Sequence, residues 1–111
     1  MPTFSPWDVI KVPFPYTDRP VRERRPALVV STQGIQDAQG LLWVLMITSA
    51  ENRGWTGDVE VSDLSASGLP APSVVRTAKI ATIEVKDAQP LGILPLTERG
   101  RISVLILRNL G

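Results

Sequence analysis

The stretch LLWVLMI, from Leu41 to Ile47, is the longest uninterrupted apolar run in the sequence. It has the length of a β-strand and falls far short of the roughly 20 apolar residues that a membrane-spanning helix needs. A polar segment, residues 33–40, precedes the run, and the hydroxyl residues Thr48 and Ser49 follow it. The run therefore predicts a strand in the middle of a sheet, buried on both faces, with Trp43 in the core.

Short apolar segments separated by glycine, proline and polar residues recur on both sides of this run, which is typical of a small β-rich domain. We predict further strands at 8–14, 26–31, 58–61, 73–76 and 80–85, with polar turns or loops at 15–24, 33–40, 50–57 and 62–72. Pro13 cannot donate to a sheet, so the first strand should end there or lie at an edge. Thr97 is predicted to cap a C-terminal helix in which Ile102, Leu105, Ile106 and Leu110 fall close to one face.

These elements predict a mainly β fold of five to seven strands that close on themselves, with one terminal helix. The chain has 111 residues, of which 43% are hydrophobic, and it shows no linker and no internal repeat. A chain of this size buries roughly two-thirds of its unfolded surface, which is enough for one core. We therefore expect a single domain over residues 1–111.

The composition excludes several kinds of chemistry. The sequence contains no cysteine and no histidine, so disulfides, thiolate nucleophiles, Cys-ligated zinc and imidazole acid–base catalysis are all ruled out. No phosphate-binding or dinucleotide-binding glycine motif occurs, and we expect neither a cofactor nor a metal site. The net charge of +1 argues against a polycationic nucleic-acid binder but allows a local basic patch. The absence of a signal-like start predicts a soluble cytoplasmic protein without a membrane partner.

Four arginines lie close together at positions 19, 22, 24 and 25. Guanidinium groups bind phosphate oxygens in pairs and stay charged at any working pH, although a solvated hairpin loop would have the same composition. Arg25 differs from the others because it directly precedes Pro26 and a predicted buried strand. Its backbone should therefore be anchored, which makes it the best candidate for a functional side chain.

Hydroxyl and aromatic residues add two further candidates. Thr48 and Ser49 stand where the central strand leaves the core, so they form either a strand-end turn or a pair of donors to a phosphate or a 2′-hydroxyl. Tyr16 and Trp55 lie in predicted loops. Each is a candidate for stacking on an unpaired base, a contact worth about 1–3 kcal/mol, or for packing against the rim of the sheet or a subunit interface.

Four segments in order resemble the MazF/PemK toxin family: WDVIKVPFPYTD (7–18), RRPALVVS (24–31), ITS (47–49) and GLPAPSVVR (68–76). The resemblance covers most of the chain. It implies an SH3-like barrel that forms a homodimer, has a cognate antitoxin as partner, and cleaves single-stranded RNA at short sequences without a metal ion. The activity would be that of a sequence-specific endoribonuclease, an mRNA interferase in a toxin–antitoxin system.

The resemblance also assigns roles to residues. The family's catalytic arginine falls on Arg25 and its catalytic threonine on Thr48. In that chemistry the 2′-hydroxyl of the RNA attacks the adjacent phosphate, leaving a 2′,3′-cyclic phosphate and a 5′-hydroxyl, while the protein aligns the attack and stabilises the developing charge. The expected RNA-binding residues are Tyr16, Thr17, Arg19, Arg22, Arg24, Ser49, Trp55, Arg76 and Lys79.

Two positions depart from the family pattern. Trp7 stands before Asp8 where the family usually has glycine, so the strand entry either has another backbone geometry or does not need glycine. Ala78 replaces an aspartate that serves as a catalytic carboxylate in some relatives. Two alternatives share the barrel: a gyrase-poisoning toxin, which the non-aromatic C-terminal segment 107–111 disfavours, and an inactive module that only binds an antitoxin.

Overall fold

The computed structural model describes residues 3–13 and 23–110, and within them six strands form one antiparallel sheet. The strands are β1 (Asp8–Pro13), β2 (Arg24–Val29), β3 (Leu41–Ser49), β4 (Asp58–Glu60), β5 (Ser73–Glu84) and β6 (Gln89–Ile93), in the spatial order β4-β5-β3-β2-β1-β6. The helices are α1 (Gln33–Gln39), α2 (Leu64–Ser67) and α3 (Leu96–Leu110). The predicted mainly β fold with a terminal helix is confirmed, with the strand number inside the predicted range.

The apolar run does form a central strand, β3, with β2 on one side and β5 on the other. Because successive side chains of a strand point to opposite faces, β3 contributes to two apolar clusters. Leu42, Val44 and Met46 belong to the cluster on one face, and Leu45 and Ile47 to the cluster on the other, where α3 packs. Burial on both faces explains why the sequence is continuously apolar here instead of alternating.

Trp43 is the exception, and its predicted place in the core is wrong. Its side chain lies on the same face as Leu45, and 46% of it is exposed. Apolar character within a strand indicates a face that needs covering. It does not indicate which element of the same chain covers that face.

The segment 73–85 forms one long strand where two were predicted. In the pairing with β3 the register shifts, so that Arg76 is opposite Met46 while Ile80 is opposite Leu45. Residues 77–79 therefore bulge between two well-paired halves, which explains why the sequence suggested an interruption. The next strand, β6, was not predicted, and it lies at an edge of the sheet, where Pro90 is tolerated.

The first strand, β1, runs from Asp8 to Pro13, the last residue before the undescribed segment 14–22, so its predicted end at Pro13 stays a prediction. β6 pairs with β1 from Asp8 to Lys11. Phe14, predicted to share the face of Ile10 and Val12, lies outside the described residues. The predicted closure does not occur among the described strands, because β4 and β6 form opposite edges of the sheet.

Three helical segments correct the sequence prediction. Residues 33–39, predicted as a turn, form α1, whose buried Gln36 side chain bonds both backbone groups of Phe4. The short α2 lies inside the predicted loop 62–72. Helix α3 begins at Leu96, so Thr97 is within the helix and donates to the Glu98 carboxylate instead of capping.

Candidate functional site

Arg25 lies inside β2, a strand that begins two residues earlier than predicted, and it pairs with Val12 of β1. In the β2–β3 register Ala27 is opposite Met46. The same register continued by two residues sets Arg25 across from Thr48, on the same face of the sheet. Sheet pairing therefore brings together two side chains that are 23 positions apart in the sequence.

Arg25 and Thr48 line one open groove with a volume of about 160 Å³. The other residues that line it are Pro26, Ile47, Ser49, Pro70, Ala71, Pro72 and Ser73. Thr48 is 4% exposed, whereas Ser49, the last residue of β3, is exposed. The groove thus combines one guanidinium, three hydroxyl residues and a rim of proline-rich backbone.

The Arg25 guanidinium makes few contacts with the part of the protein that the structure describes. Its Nη1 lies 3.9 Å from Oε2 of Glu23, a loose pair in which 34% of the arginine side chain is exposed. Its Nε is buried and has no hydrogen-bond partner among the described residues. A guanidinium in this setting keeps most of its capacity to bind an anion in the groove.

The Thr48 hydroxyl is held by a residue that the sequence analysis did not select. Asn52 belongs to a single helical turn, Ala50–Asn52, directly after β3, and its Nδ2 donates to Thr48 Oγ1 at 3.2 Å. Ser49 starts the same turn, since its Oγ accepts from the backbone N–H of Glu51 at 3.3 Å. Both hydroxyls at the end of β3 are therefore engaged by the turn that follows the strand.

Arg24 projects away from the groove, because neighbours in a strand point to opposite faces. Its Nη2 donates to the backbone oxygens of Asp87 at 3.0 Å and of Lys11 at 3.5 Å. The structure therefore separates the two adjacent arginines: Arg25 lines the groove, and Arg24 ties β2 to the β1 and β6 side of the sheet.

Arg76 is buried within a polar network next to the groove. Its Nε and Nη2 bind the two carboxylate oxygens of Asp58 at 3.1 and 3.0 Å, and Nη2 also donates to the backbone oxygen of Asn52 at 2.7 Å. Burial raises the pKa of Asp58, but hydrogen bonds and charge from Arg76, with backbone N–H groups of Trp55 and Gly54, outweigh it and hold that pKa below its ordinary value.

Trp55 stacks on this network. The guanidinium carbon of Arg76 lies 4.1 Å from the centre of the indole, while half of the Trp55 side chain is exposed. Its backbone N–H donates to Asp58 Oδ2 at 3.3 Å. One face of the indole is thus supported by a buried cation, and the exposed half is presented to solvent on a fixed loop.

The remaining predicted site residues lie elsewhere. Ala78 and Lys79 are in the β5 bulge, and Ala78 lines a different cavity, against the end of α3, so the departure from the family aspartate is not at the Arg25 groove. Four predicted RNA-binding residues are outside the part of the chain that the structure describes: Tyr16, Thr17, Arg19 and Arg22.

Trp7, which stands where the family usually has glycine, has a left-handed backbone conformation. Its φ is +79°, the only positive φ of a non-glycine residue in the described segments, so the left-handed backbone is kept without glycine. The backbone of Trp7 bonds Val29 and Leu94 at 2.8 Å each, and the guanidinium carbon of Arg99 lies 5.8 Å from the indole centre. These contacts stabilise a conformation that costs of order 1–3 kcal/mol.

Neither a spanning helix nor a metal-ligand cluster is found within residues 3–13 and 23–110. No helix there has the length and apolar character needed to cross a bilayer. Three or more acidic side chains that converge as a cation site are likewise missing from this part of the chain.

The fold is similar to several solved structures along nearly their whole length. MazF of Deinococcus radiodurans superimposes with a TM-score of 0.82 at 19% identity, covering 100% of this chain and 99% of that chain. The Mycobacterium tuberculosis toxin MazF-mt6 gives 0.72 at 22% identity, covering 93% and 95%. An endoribonuclease in complex with its cognate antitoxin from a mycobacterial species gives 0.75 at 16% identity, covering 100% and 96%.

The sequence comparisons agree with the fold. Among curated protein sequences none matches this chain with significance. A family model described as PemK-like, MazF-like toxin of type II toxin–antitoxin system matches residues 5–106, nearly the whole chain. With that match, the chain belongs to the PemK-like, MazF-like family of type II toxin–antitoxin toxins.

Proposed function

We propose that this toxin is an endoribonuclease that cleaves single-stranded RNA at short sequences without a metal ion. The observation that carries the proposal is that Arg25 and Thr48 line one groove. The fold similarity to a mycobacterial endoribonuclease supports it. Such a substrate places the activity in the cytoplasm.

The chemistry needs neither a thiol nor an imidazole, which this chain lacks. The 2′-oxygen of the RNA forms a bond to phosphorus and loses its proton to a base. The bond from phosphorus to the 5′-oxygen breaks, and that oxygen takes up a proton. The products are a 2′,3′-cyclic phosphate and a 5′-hydroxyl, and no electrons are exchanged with a cofactor.

Arg25 and Thr48 suit the charge that develops in this reaction. The two non-bridging oxygens gain negative charge as the five-coordinate phosphorus forms. A fixed guanidinium therefore stabilises the transition state more than it stabilises the ground state. The Thr48 hydroxyl is a short-range donor from the opposite strand. Ser49 and the exposed indole of Trp55 extend the surface toward neighbouring nucleotides, where an indole stacks on an unpaired base.

The arms of one experiment separate this function from the two alternatives. Purified protein is incubated with a long single-stranded RNA, with and without EDTA, and product ends are mapped. Cleavage at recurrent short sequences that EDTA does not slow, with 5′-hydroxyl ends, is the expected result. Intact RNA overturns the proposal: inhibition of gyrase by the same protein would then identify a gyrase poison, and antitoxin binding alone an inactive module.

A homodimer is part of the proposal, and an exposed apolar surface supports it. We define the α3-end surface as Trp43, Ile80, Leu107 and Leu110, which are 46%, 52%, 70% and 65% exposed. Ile80 and Leu110 line one cavity of about 290 Å³, and Trp43 lies diagonally across from Ile80 on the same face. A contiguous apolar surface of this kind usually marks a protein interface.

The antitoxin of the pair is the second proposed partner. The density of arginines at 19–25 suits a segment with acidic and apolar side chains, which would lie over residues 16–25 and compete with RNA. In a titration with an uncleavable RNA analogue, the antitoxin should displace the RNA. Simultaneous binding of both without mutual loss of affinity would contradict this arrangement.

A further inference from the structure

Asn52 occupies a position that links the groove to the buried network beside it. Its side-chain amide donates to Thr48 Oγ1 at 3.2 Å, while its backbone oxygen accepts from Arg76 Nη2 at 2.7 Å. Arg76 is in turn fixed by two bonds to Asp58. The end of Asn52 that faces Arg76 is therefore anchored to the sheet, and the end that faces Thr48 is free to act on the hydroxyl.

The direction of the bond to Thr48 has a chemical consequence. A threonine hydroxyl has one proton to donate and two lone pairs to accept. When the Asn52 amide donates, one lone pair is occupied and the hydroxyl proton stays available for another acceptor. The same hydrogen bond restricts rotation of the Thr48 side chain and its hydroxyl group. The hydroxyl proton can therefore point in only a few directions.

We infer that Asn52 is a positioning residue that orients the Thr48 hydroxyl as a donor to the scissile phosphate. The inference rests on the proposed ribonuclease function and adds to it the element that holds the threonine. Asn52 would act through Thr48, because its side-chain Nδ2 already donates a hydrogen bond to Thr48 Oγ1. Arg76 takes a supporting role under the turn, because its guanidinium is bound to Asp58 and Asn52 and stacked on Trp55.

Two substitutions at this position separate orientation from simple packing. Asn52→Ala removes the donor but keeps the backbone oxygen that Arg76 binds, so the turn keeps its anchor. Asn52→Asp keeps the shape but offers only acceptors, so the Thr48 proton turns toward the new carboxylate. A purely structural role predicts that Asn52→Asp resembles the wild type, whereas the positioning role predicts that it is at least as slow as Asn52→Ala.

The experiment measures single-turnover cleavage and RNA affinity of the full chain in EDTA, with melting temperature as the check on folding. Asn52→Ala should lower the rate about 10-fold or more, as expected when a reacting group is misplaced, with affinity nearly unchanged. In a Thr48→Val background it should lower the rate no further, because the group it orients is gone. Gln33→Ala, which removes an exposed amide from α1, is the matched control and should cleave like the wild type.

The outcomes distinguish this inference from the function on which it rests. A wild type that cleaves, together with an Asn52→Ala variant of unchanged rate, overturns the positioning role alone. Equal further losses in the wild-type and Thr48→Val backgrounds also overturn it, because Asn52 would then act independently of Thr48. A wild type that leaves RNA intact removes the proposed function and the positioning role with it.

Discussion

Arg24 and Arg25 show how one step along a strand changes what a side chain can do. Arg25 faces the groove, with its charge held loosely by Glu23 at 3.9 Å, whereas Arg24 donates to backbone oxygens on the other side. Both residues are identical in chemistry, and both belong to the same arginine-rich stretch. The pleat of the strand, which alternates the side chains between faces, decides which of them lines the groove.

The prediction at this scale concerns Arg25 and Thr48, which line the same groove. Arg25→Ala should lower the single-turnover rate on bound RNA at least about 10²-fold, as loss of a donor to the transition state does. Thr48→Val keeps the side-chain shape but removes the hydroxyl, so it should slow cleavage more than it weakens binding. The measurement is cleavage of a labelled oligonucleotide, containing a mapped site, at saturating enzyme in EDTA.

Two further arginine variants serve as controls for Arg25→Ala. Arg101→Ala removes an equal charge from the exposed side of α3 and should leave the rate close to that of the wild type. Arg22→Ala should weaken affinity and flatten its salt dependence by about one phosphate contact. Near-full activity of Arg25→Ala, or a requirement of the wild type for a divalent ion, would refute the assigned mechanism.

Among the elements, α3 depends on a buried carboxylate at its start. Glu98 is 8% exposed, and its Oε1 accepts from the backbone N–H of Ser62 at 2.7 Å while its Oε2 accepts from Thr97 Oγ1 at 2.8 Å. Burial raises the pKa of Glu98, but the hydrogen bonds from Ser62 and Thr97 outweigh it and keep the pKa below its ordinary value. The ionised carboxylate therefore ties the helix to the segment after β4.

The pH dependence of stability follows from the direction of that shift. A carboxyl with a lowered folded pKa stabilises the protein above its unfolded pKa, and this contribution is lost as the pH falls through the folded pKa. Glu98→Gln should therefore reduce the free energy of unfolding at pH 7 by about 1.5–3 kcal/mol, the range for hydrogen bonds to a charged group. Urea unfolding from pH 7 down to pH 3 measures it, and the gap between the variant and the wild type should narrow below about pH 4.5.

A second carboxylate serves as the control for that experiment. Glu60, on β4, is exposed, and Glu60→Gln should change the free energy of unfolding by no more than about 0.5 kcal/mol. A gap between Glu98→Gln and the wild type that is the same at pH 7 and pH 3 would show that the charge of Glu98 contributes nothing to stability.

At the scale of the whole molecule, the α3-end surface has the features of an interface. Trp43 is part of the run that specifies the central strand, yet 46% of its side chain is exposed. It lies diagonally across from Ile80, which lines one cavity together with Leu110 of α3. Exposed apolar side chains occur singly on most proteins, but a contiguous group of them usually contacts a partner. A second copy, related by a two-fold axis, would bury the surface on both chains at once.

The dimer prediction is tested by placing a charge on this surface. The wild type should have twice the mass of one chain by light scattering at micromolar concentration, and Ile80→Glu should shift it toward the monomer because an unpaired buried charge is costly. Leu96→Glu is the matched control, since Leu96 is 78% exposed at the opposite end of α3. A wild type of monomeric mass, or an Ile80→Glu variant that stays dimeric, would contradict the proposed interface.

The sequence by itself determined the fold class and selected the two central candidates for the site. A continuous apolar run of strand length favours a central strand between two neighbours, and β3 has that place, although Trp43 of the run is exposed. Motifs in the order of the family selected Arg25 and Thr48, and the match over residues 5–106 confirmed the family. Local signals were sufficient here because strand length and proline positions are properties of short segments.

Only the tertiary structure decided which side chains meet. Asn52 and Asp58 carry no motif and became visible through their contacts with Thr48 and Arg76. The contact of Asp58 with Arg76 depends on the pairing of β4 with β5, and the contact of Asn52 with Thr48 depends on the turn that follows β3. The same holds for Trp43, whose exposure depends on which elements cover its face of the sheet and not on its neighbours in the chain. Hydrogen bonds and burial are made between segments, so a pattern within one segment does not specify them.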